Sequence, residues 1–360
     1  MKVMITGGTG FIGYHTARAL LDAGHEVVLL VRNRDKMRAM YGDAISDYVV
    51  GDVADQSAVN QALDRSDAAI HTAALVSTNT RDAERVYHTN VQGTRLVVGG
   101  AVERDFTSII HVSSVTALFN PDSERLDEHS PLGSAQNAYG RSKVDSEAFV
   151  RDLQAQGAPV NITYPAGVIG PHSPTLTEPH GGIVSYLSKI VPVLPNGTQF
   201  VDVRDVASAH RMLLEGEHTA GRFPIAGHYI TWAGLLEHIE HLTGHKKVTF
   251  TLSAPVMLLL GRLLDLLRRV VPINAPLSLE AATYATRWVR VDNGKLEREL
   301  EFRFRALQDT LHDTIRWLIE DGHVPAQAAG HLGASPHSHS QPQPQPQPTV
   351  VKTRSLEASN

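Results

Sequence analysis

Residues 3–13 read Val3-Met4-Ile5-Thr6-Gly7-Gly8-Thr9-Gly10-Phe11-Ile12-Gly13, an apolar run that breaks into glycines and then into helix-forming residues. The pattern predicts a buried strand, a tight turn and a helix. In such a unit Gly7 lets the chain turn sharply, Gly10 lets backbone approach a pyrophosphate, and Gly13 brings the helix close to the sheet. The first helical N–H groups then face the phosphate charge. Tyr14 to Ala23 continues the helix, Gly24 reads as its C-cap, and Glu26-Val27-Val28-Leu29-Leu30-Val31 supplies the next strand. A lone glycine fingerprint also fits a ligand-free turn, so the flanking strands are what favour a dinucleotide site at the carboxyl edge.

Composition narrows the function. With 360 residues and 42% hydrophobic content, the chain can build one large domain with an insertion, or two domains sharing a cleft. A net charge of −5 and no basic run interleaved with aromatics argue against a nucleic-acid partner. Zero cysteines exclude disulfides and thiol catalysis. The first strand occupies the place of a signal peptide, so a cytoplasmic location is expected. The nineteen histidines are scattered, His337 and His339 falling in the tail, and no metal site is expected.

Apolar runs recur at 27–31, 47–50, 68–71, 108–112 and 161–164, with helical stretches between them. Their alternation predicts an α/β fold, a doubly wound parallel sheet of Rossmann type. Residues 1–170 are expected to form the nucleotide-binding domain, with 197–215 returning to it. After Gly170-Pro171, prolines at 171, 174, 179, 192 and 195 break the rhythm into loops. Residues 171–196 and 216–325 are therefore expected to form a smaller, discontinuous α/β substrate region. Residues 326–360, with Gln-Pro repeats and few apolar side chains, read as a disordered tail. Pro255 to Val271 is the most apolar segment, yet Arg262, Asp265 and Arg269 fall along one side. It is too short and too charged to span a bilayer. It reads as an amphipathic helix closing the cleft or packing on the second region, with peripheral membrane contact as the sharper alternative.

Two further stretches carry chemistry. Tyr139-Gly140-Arg141-Ser142-Lys143 puts a phenol and an ammonium one turn apart on a helix face. Upstream, the strand Ile109-Ile110-His111-Val112 ends in Ser113-Ser114 at the carboxyl edge, where doubly wound sheets keep their ligands. Beyond the second strand, where an acid normally accepts the ribose hydroxyls of NAD, stands Arg32, with Arg34 and Lys36 close by. That suits the extra phosphate of NADP, with NAD as the alternative cofactor and a solvated basic turn as the bland reading.

Residues 1–320 resemble the extended short-chain dehydrogenase/reductase family. The resemblance rests on Thr6 to Gly13, Gly51-Asp52-Val53, His71-Thr72-Ala73-Ala74, Asn90-Val91-Gln92-Gly93-Thr94, Ser113-Ser114, Tyr139 to Lys143, Pro165, and Val203 to Ala207. It implies Ser114, Tyr139 and Lys143 as the catalytic set, with Ser113 as the fallback serine. It implies cofactor contacts at Gly7, Thr9, Gly10, Phe11, Ile12, Gly13, Arg32, Asp52, Val53, Ala73, Ala74, Tyr139, Lys143, Pro165 and Val168. Asp52 would face the adenine amine and Val53 its ring. Reducing a carbonyl needs a proton at oxygen as negative charge develops there, and Tyr139 would give it. A free phenol titrates near 10, so exchange at neutral pH requires the phenolate to be stabilised by about 3 units, from Lys143 and the oxidised nicotinamide.

The residues after Ser114 are Val115 and Thr116, not the acidic pair of the family's dehydratases, and Tyr164-Pro165-Ala166-Gly167-Val168-Ile169-Gly170-Pro171 lacks an Asn of the nucleotide-sugar enzymes. The chain thus resembles the dihydroflavonol-reductase and 3-beta-hydroxysteroid-dehydrogenase branch. Val115, Leu118, Phe119, Val184, Tyr186 and Leu187 are the expected walls of an apolar cleft, with some of them open to a core reading. The leading expectation is an NADP-dependent oxidoreductase interconverting a secondary alcohol and a ketone on a hydrophobic small molecule. A nucleotide-sugar epimerase with tightly bound NAD, and a non-catalytic NADPH-sensing protein, are the alternatives. The resemblance further implies a homodimer built through the helices containing Glu84 to Val98 and Tyr139 to Leu153.

Overall fold

The computed structural model describes residues 1–76, 80–135, 137–216, 220–267 and 278–334. The nucleotide half runs β1 (Lys2–Thr6), α1 (Phe11–Asp22), β2 (Glu26–Val31), α2 (Arg34–Tyr41), β3 (Tyr48–Val50), α3 (Gln56–Leu63) and β4 (Ala68–His71). It continues through α4 (Ala83–Thr94), a π turn at Arg95–Gly99 and α5 (Gly100–Val102). Then come β5 (Ile109–Val112), β6 (Arg125–Leu126), α6 (Ala138–Ala155) and β7 (Val160–Pro165). The remainder is β8 (Gly167–Ile169), α7 (Glu178–Tyr186), β9 (Ile190–Val193), β10 (Gly197–Asp202), α8 (Val203–Glu215), β11 (Arg222–Ile225) and β12 (His228–Thr231). It closes with α9 (Trp232–Thr243), β13 (Val248–Thr251), α10 (Ala254–Leu267), α11 (Leu279–Thr286), β14 (Arg290–Val291), α12 (Gly294–Glu299), α13 (Leu307–Glu320) and α14 (His331–Ala334).

Seven strands form one parallel sheet in the order β11-β7-β5-β4-β1-β2-β3. Its strands are apolar on both faces because helices cover both. On one face Val3, Ile5, Val27 and Leu29 meet α1 and α8 through Ala17, Leu20, Val206 and Leu213. On the other, Met4, Val28, Ala69 and Ile109 meet α3 and α6 through Val59, Ala62 and Val150. Strand order reverses between β1 and β4, and the crevice at that switch point is where such sheets bind ligands.

The smaller region is built around the three-stranded sheet β12-β10-β8, with α7, α9 and α13 packed on it through Ile183, Leu235, Ile239, Leu311 and Ile315. Residues 197–215 therefore divide, contrary to the expected return to the large sheet. Strand β10 joins the small sheet, α8 packs on α1, and β11 becomes the edge of the large sheet beside β7. The segment from 171 to 195 is likewise more regular than its prolines suggest. Pro179 opens α7, where its missing N–H costs nothing, and Pro192 lies in the two-stranded pair β13-β9.

Helix α1 starts at Phe11 with Gly10 as its N-cap, as the glycine stretch predicts. One boundary moves. The ordered chain runs past 325: Ala329 is buried and α14 packs against α9, while the rest of the expected tail lies outside the described residues. Helix α10 realises the apolar segment at 254–267 and packs on α11; Arg269 and the rest of 268–271 lie outside the described residues. No helix among the described residues is long and apolar enough to cross a membrane.

Candidate active site

The loop between β1 and α1 is half-buried, with Gly8 buried within it. Gly7 adopts a left-handed φ of +71°, and a Cβ there would lie 2.7 Å from the Thr72 hydroxyl. A Cβ on Gly13 would overlap the Gly7 carbonyl. The Gly10 N–H donates to that carbonyl at 2.8 Å. Gly10 caps α1 with no capping side chain and no acid in the first turn, so the positive end of the helix is open to an anion. This loop fits the pyrophosphate of a dinucleotide, since its helix N-terminus is open to an anion, and side chains at Gly7 or Gly13 would collide with Thr72, Ala73 and the Gly7 carbonyl and force it out of shape. From α2, the Tyr41 hydroxyl donates to the Gly8 carbonyl at 2.6 Å and holds the loop in place. Thr9 and Ile12 are half-buried at the turn, and Phe11 is buried with its ring 5.1 Å from that of His180.

Other predicted contacts lie along the same sheet edge. Arg32 is exposed just beyond β2, and Asn33 caps α2 by accepting the Lys36 N–H at 2.9 Å. Asp52 makes a local turn, accepting the Ala54 N–H at 3.0 Å. Val53 packs where a Cβ on Gly93 would come within 2.9 Å. The Ala73 N–H donates to the Thr6 hydroxyl at 3.2 Å, placing Ala73 and Ala74 at the ends of β1 and β4. Pro165 ends β7, and Val168 is buried in the core.

Ser114, Tyr139 and Lys143 come together. Ser114 leaves β5 as the cap of a short 3-10 turn, accepting the Thr116 N–H at 3.2 Å. Its hydroxyl faces that of Tyr139 closely enough to act on the phenol's ionisation. Ser113, the fallback, turns its hydroxyl into a buried position with no hydrogen-bond partner among the described residues. Asn137 caps α6, accepting the Gly140 N–H at 2.6 Å, which sets Tyr139 in the first helical turn. The buried Lys143 Nζ donates to the Val112 carbonyl at 3.1 Å and lies 6.0 Å from the centre of the Tyr139 ring. Burial brings the Lys143 ammonium down to about 8, opposed by Glu147. Burial pushes the Tyr139 phenol up to about 12; the Ser114 hydroxyl pulls it down and the Glu178 carboxylate adds to the rise. The protein alone therefore holds Tyr139 as a neutral proton donor, the reverse of the lowered value expected once cofactor charge is added.

The expected cleft walls need correction. Val115, Leu118, Phe119, Tyr186 and Leu187 are buried in hydrophobic core, and Val184 packs against it. The groups that approach the trio come from α7 and α11. The Tyr284 hydroxyl faces Thr116, and its ring centre lies 4.2 Å from that of Phe119. Glu280 accepts the Asn137 N–H at 3.2 Å, and burial raises its carboxyl. Glu280 and Tyr284 escaped sequence reading because they join the site from about 140 residues downstream of Tyr139, with no local motif. Asn90, the first residue of the Asn90 to Thr94 motif, has a structural role. Its side chain accepts the Leu75 N–H at 2.7 Å and donates to the Leu75 carbonyl and to Ser142, tying the β4–α4 loop to α6. A separate cavity of about 510 Å³, lined by Glu124, Asn196, Tyr229, Trp288 and Arg290 among others, contains none of the trio.

A dinucleotide cradle at the switch point beside a serine, a tyrosine and a lysine defines an NAD(P)-dependent enzyme of the extended short-chain dehydrogenase/reductase class. Residues 3–226 match the NAD dependent epimerase/dehydratase family, and the chain belongs to that family. It is 29% identical over 331 residues to a Synechocystis protein named for dihydroflavonol 4-reductase, covering 90% of this chain and 96% of that protein. It is 28% identical over 338 residues to sterol demethylase protein B of Methylococcus capsulatus, covering 90% of this chain and 100% of that protein. The crystal structure of gox2253 superposes with a TM-score of 0.76 at 27% identity, over 89% of this chain and 99% of that one.

Proposed function

We propose that this chain is an NADP-dependent oxidoreductase that interconverts a secondary alcohol and a ketone on a hydrophobic small molecule. The observation that carries this reading is the convergence of Ser114 and Tyr139, whose side chains face each other, with Lys143 one helical turn along and its Nζ 6.0 Å from the Tyr139 ring centre. When bound, the nicotinamide cofactor supplies the hydride or accepts it. Tyr139 Oη gives its proton to the substrate oxygen in reduction, and Ser114 Oγ hydrogen-bonds that oxygen and orients it. Lys143 sits where its charge stabilises the phenolate that remains. In the oxidative direction Tyr139 must first lose its proton, so that direction is favoured as pH rises. Arg32 supports the choice of NADP, since a guanidinium binds a phosphate through charge-assisted hydrogen bonds.

Two features favour a neutral, apolar substrate over a nucleotide sugar. Glu178 and Glu280 are the carboxylates around Tyr139, and neither welcomes a diphosphate. The relatives named for dihydroflavonol and sterol chemistry also match over nearly the whole chain, substrate region included. Incubation with NADPH or NADH and a panel of neutral cyclic ketones tests the proposal, with oxidation of NADPH expected. Protein that purifies with tightly held NAD and consumes no NADPH would instead identify an epimerase. NADPH binding with no turnover of any substrate would identify a sensor.

A further inference from the structure

We propose that helix α10 and the β9/β13 pair form a docking surface for an anionic lipid bilayer. Large exposed apolar side chains gather there. Leu259 is 57% exposed and Val248 66%, and Phe250, Leu260, Leu263 and Leu266 are exposed with them. On α10 these positions recur at helical spacing, so they make one continuous outward stripe. The inward side is equally apolar: Met257 and Gly261 are buried, and a Cβ on Gly261 would come within 2.7 Å of the Ser278 carbonyl. A helix apolar on both sides belongs in an apolar surrounding, and water covers the outer side of this one.

Charge selects the occupant. Among the described residues of 244–267, Lys246, Lys247 and Arg262 stand against Asp265, with Glu240 ion-paired to Lys246 at 2.7 Å, within a chain of net charge −5. Asp265 is engaged, accepting the Leu279 N–H at 2.9 Å. A basic border around leucines suits acidic headgroups over acyl chains. A second copy of this chain would instead set basic residues against basic residues. The 14 residues of α10 make about 21 Å of helix at 1.5 Å per residue, so it lies in the interface plane and does not cross. Helix α10 packs on α11, which carries Glu280 and Tyr284 to the trio, so the docked face adjoins the substrate side. That last consequence rests on the alcohol/ketone reading; the docking does not.

The test is sedimentation of the full chain, without substrate, with vesicles of phosphatidylglycerol in phosphatidylcholine and with vesicles of phosphatidylcholine alone. The chain is expected to pellet with the acidic vesicles and to lose about tenfold in partition when Leu259→Glu and Leu263→Glu are combined. Arg262→Glu should weaken binding less and in a salt-dependent way. These positions are exposed, so thermal melts of the variants should match the parent. Equal pelleting of parent and variants, or no pelleting with either vesicle, would overturn the proposal. So would a dimer broken by the leucine substitutions, which would assign the face to a second copy. NADPH-dependent ketone turnover, measured without vesicles, reports separately on the catalytic reading.

Discussion

The two sides of the crevice are built in different ways. On the cofactor side, Gly7, Gly13, Thr72 and Ala73 shape a site from backbone and small side chains at the ends of β1 and β4. Its geometry follows from two short stretches, each compact in sequence, that the pairing of β1 with β4 sets side by side. On the substrate side, Glu280 and Tyr284 reach the Asn137 N–H and Thr116 from α11, so long-range contacts made by single side chains hold it. The first side is bound to the fold, while the second can change by substitution of a few side chains. One family can therefore share a cofactor and differ in substrate.

The largest expected effect lies where the two sides meet. Tyr139→Phe removes the proposed proton donor and should lower turnover by about 10³-fold while NADPH binding persists, measured by steady-state kinetics and fluorescence titration. Equal loss of both would mean that Tyr139 serves the cofactor side alone. Next is Arg32→Asp, which on the proposed NADP reading replaces a phosphate partner by a repelling carboxylate. It should shift the NADPH to NADH preference by about 10²-fold, with kcat on the better cofactor little changed.

Glu280→Ala sharpens the contrast. Losing the carboxylate at the Asn137 N–H loosens the start of α6, and kcat should fall about tenfold with the Kd for NADPH unmoved. A matching loss of NADPH affinity would show that the substrate side also shapes the cofactor site.

The smallest effect is on acid stability. His71 on β4 and His210 on α8 are buried, and burial lowers both to about 3. The unfolded chain takes up protons below about 6.5 that these folded imidazoles refuse, so the stability they contribute is full above that pH and lost as pH falls. Urea melts at pH 7 and pH 5 should differ by on the order of 1 kcal/mol for each histidine. Replacing His210 by Gln should remove its share of that pH dependence.

The same division explains what was legible in the sequence. Strands β1, β2 and β4 could be read because a parallel strand buried on both faces is a near-continuous apolar run. The glycine turn could be read because backbone shape there demands glycine. Asn137 two residues before Tyr139 is a helix-cap signal that points at the same site. Glu280 carries no comparable signal: a Glu near a helix start reads as solvated until the chain folds back 143 positions to Asn137. Phe119 and Tyr186 read equally well as cleft or core, and packing decided for core. Strand β10 misled for a similar reason, since its apolar pattern does not specify which of two sheets it joins.

The chain visits the small sheet at β8 and β10, returns to the large one at β11, and goes back at β12. No single cut can therefore release two intact sheets, because any break between Pro165 and Thr231 strands at least one strand with the wrong fragment. Exchanging substrate specificity by gene splicing at one junction is closed to this architecture. New specificities must be grafted residue by residue or with several crossovers, and a protease nick in this stretch should leave the fragments clasped together.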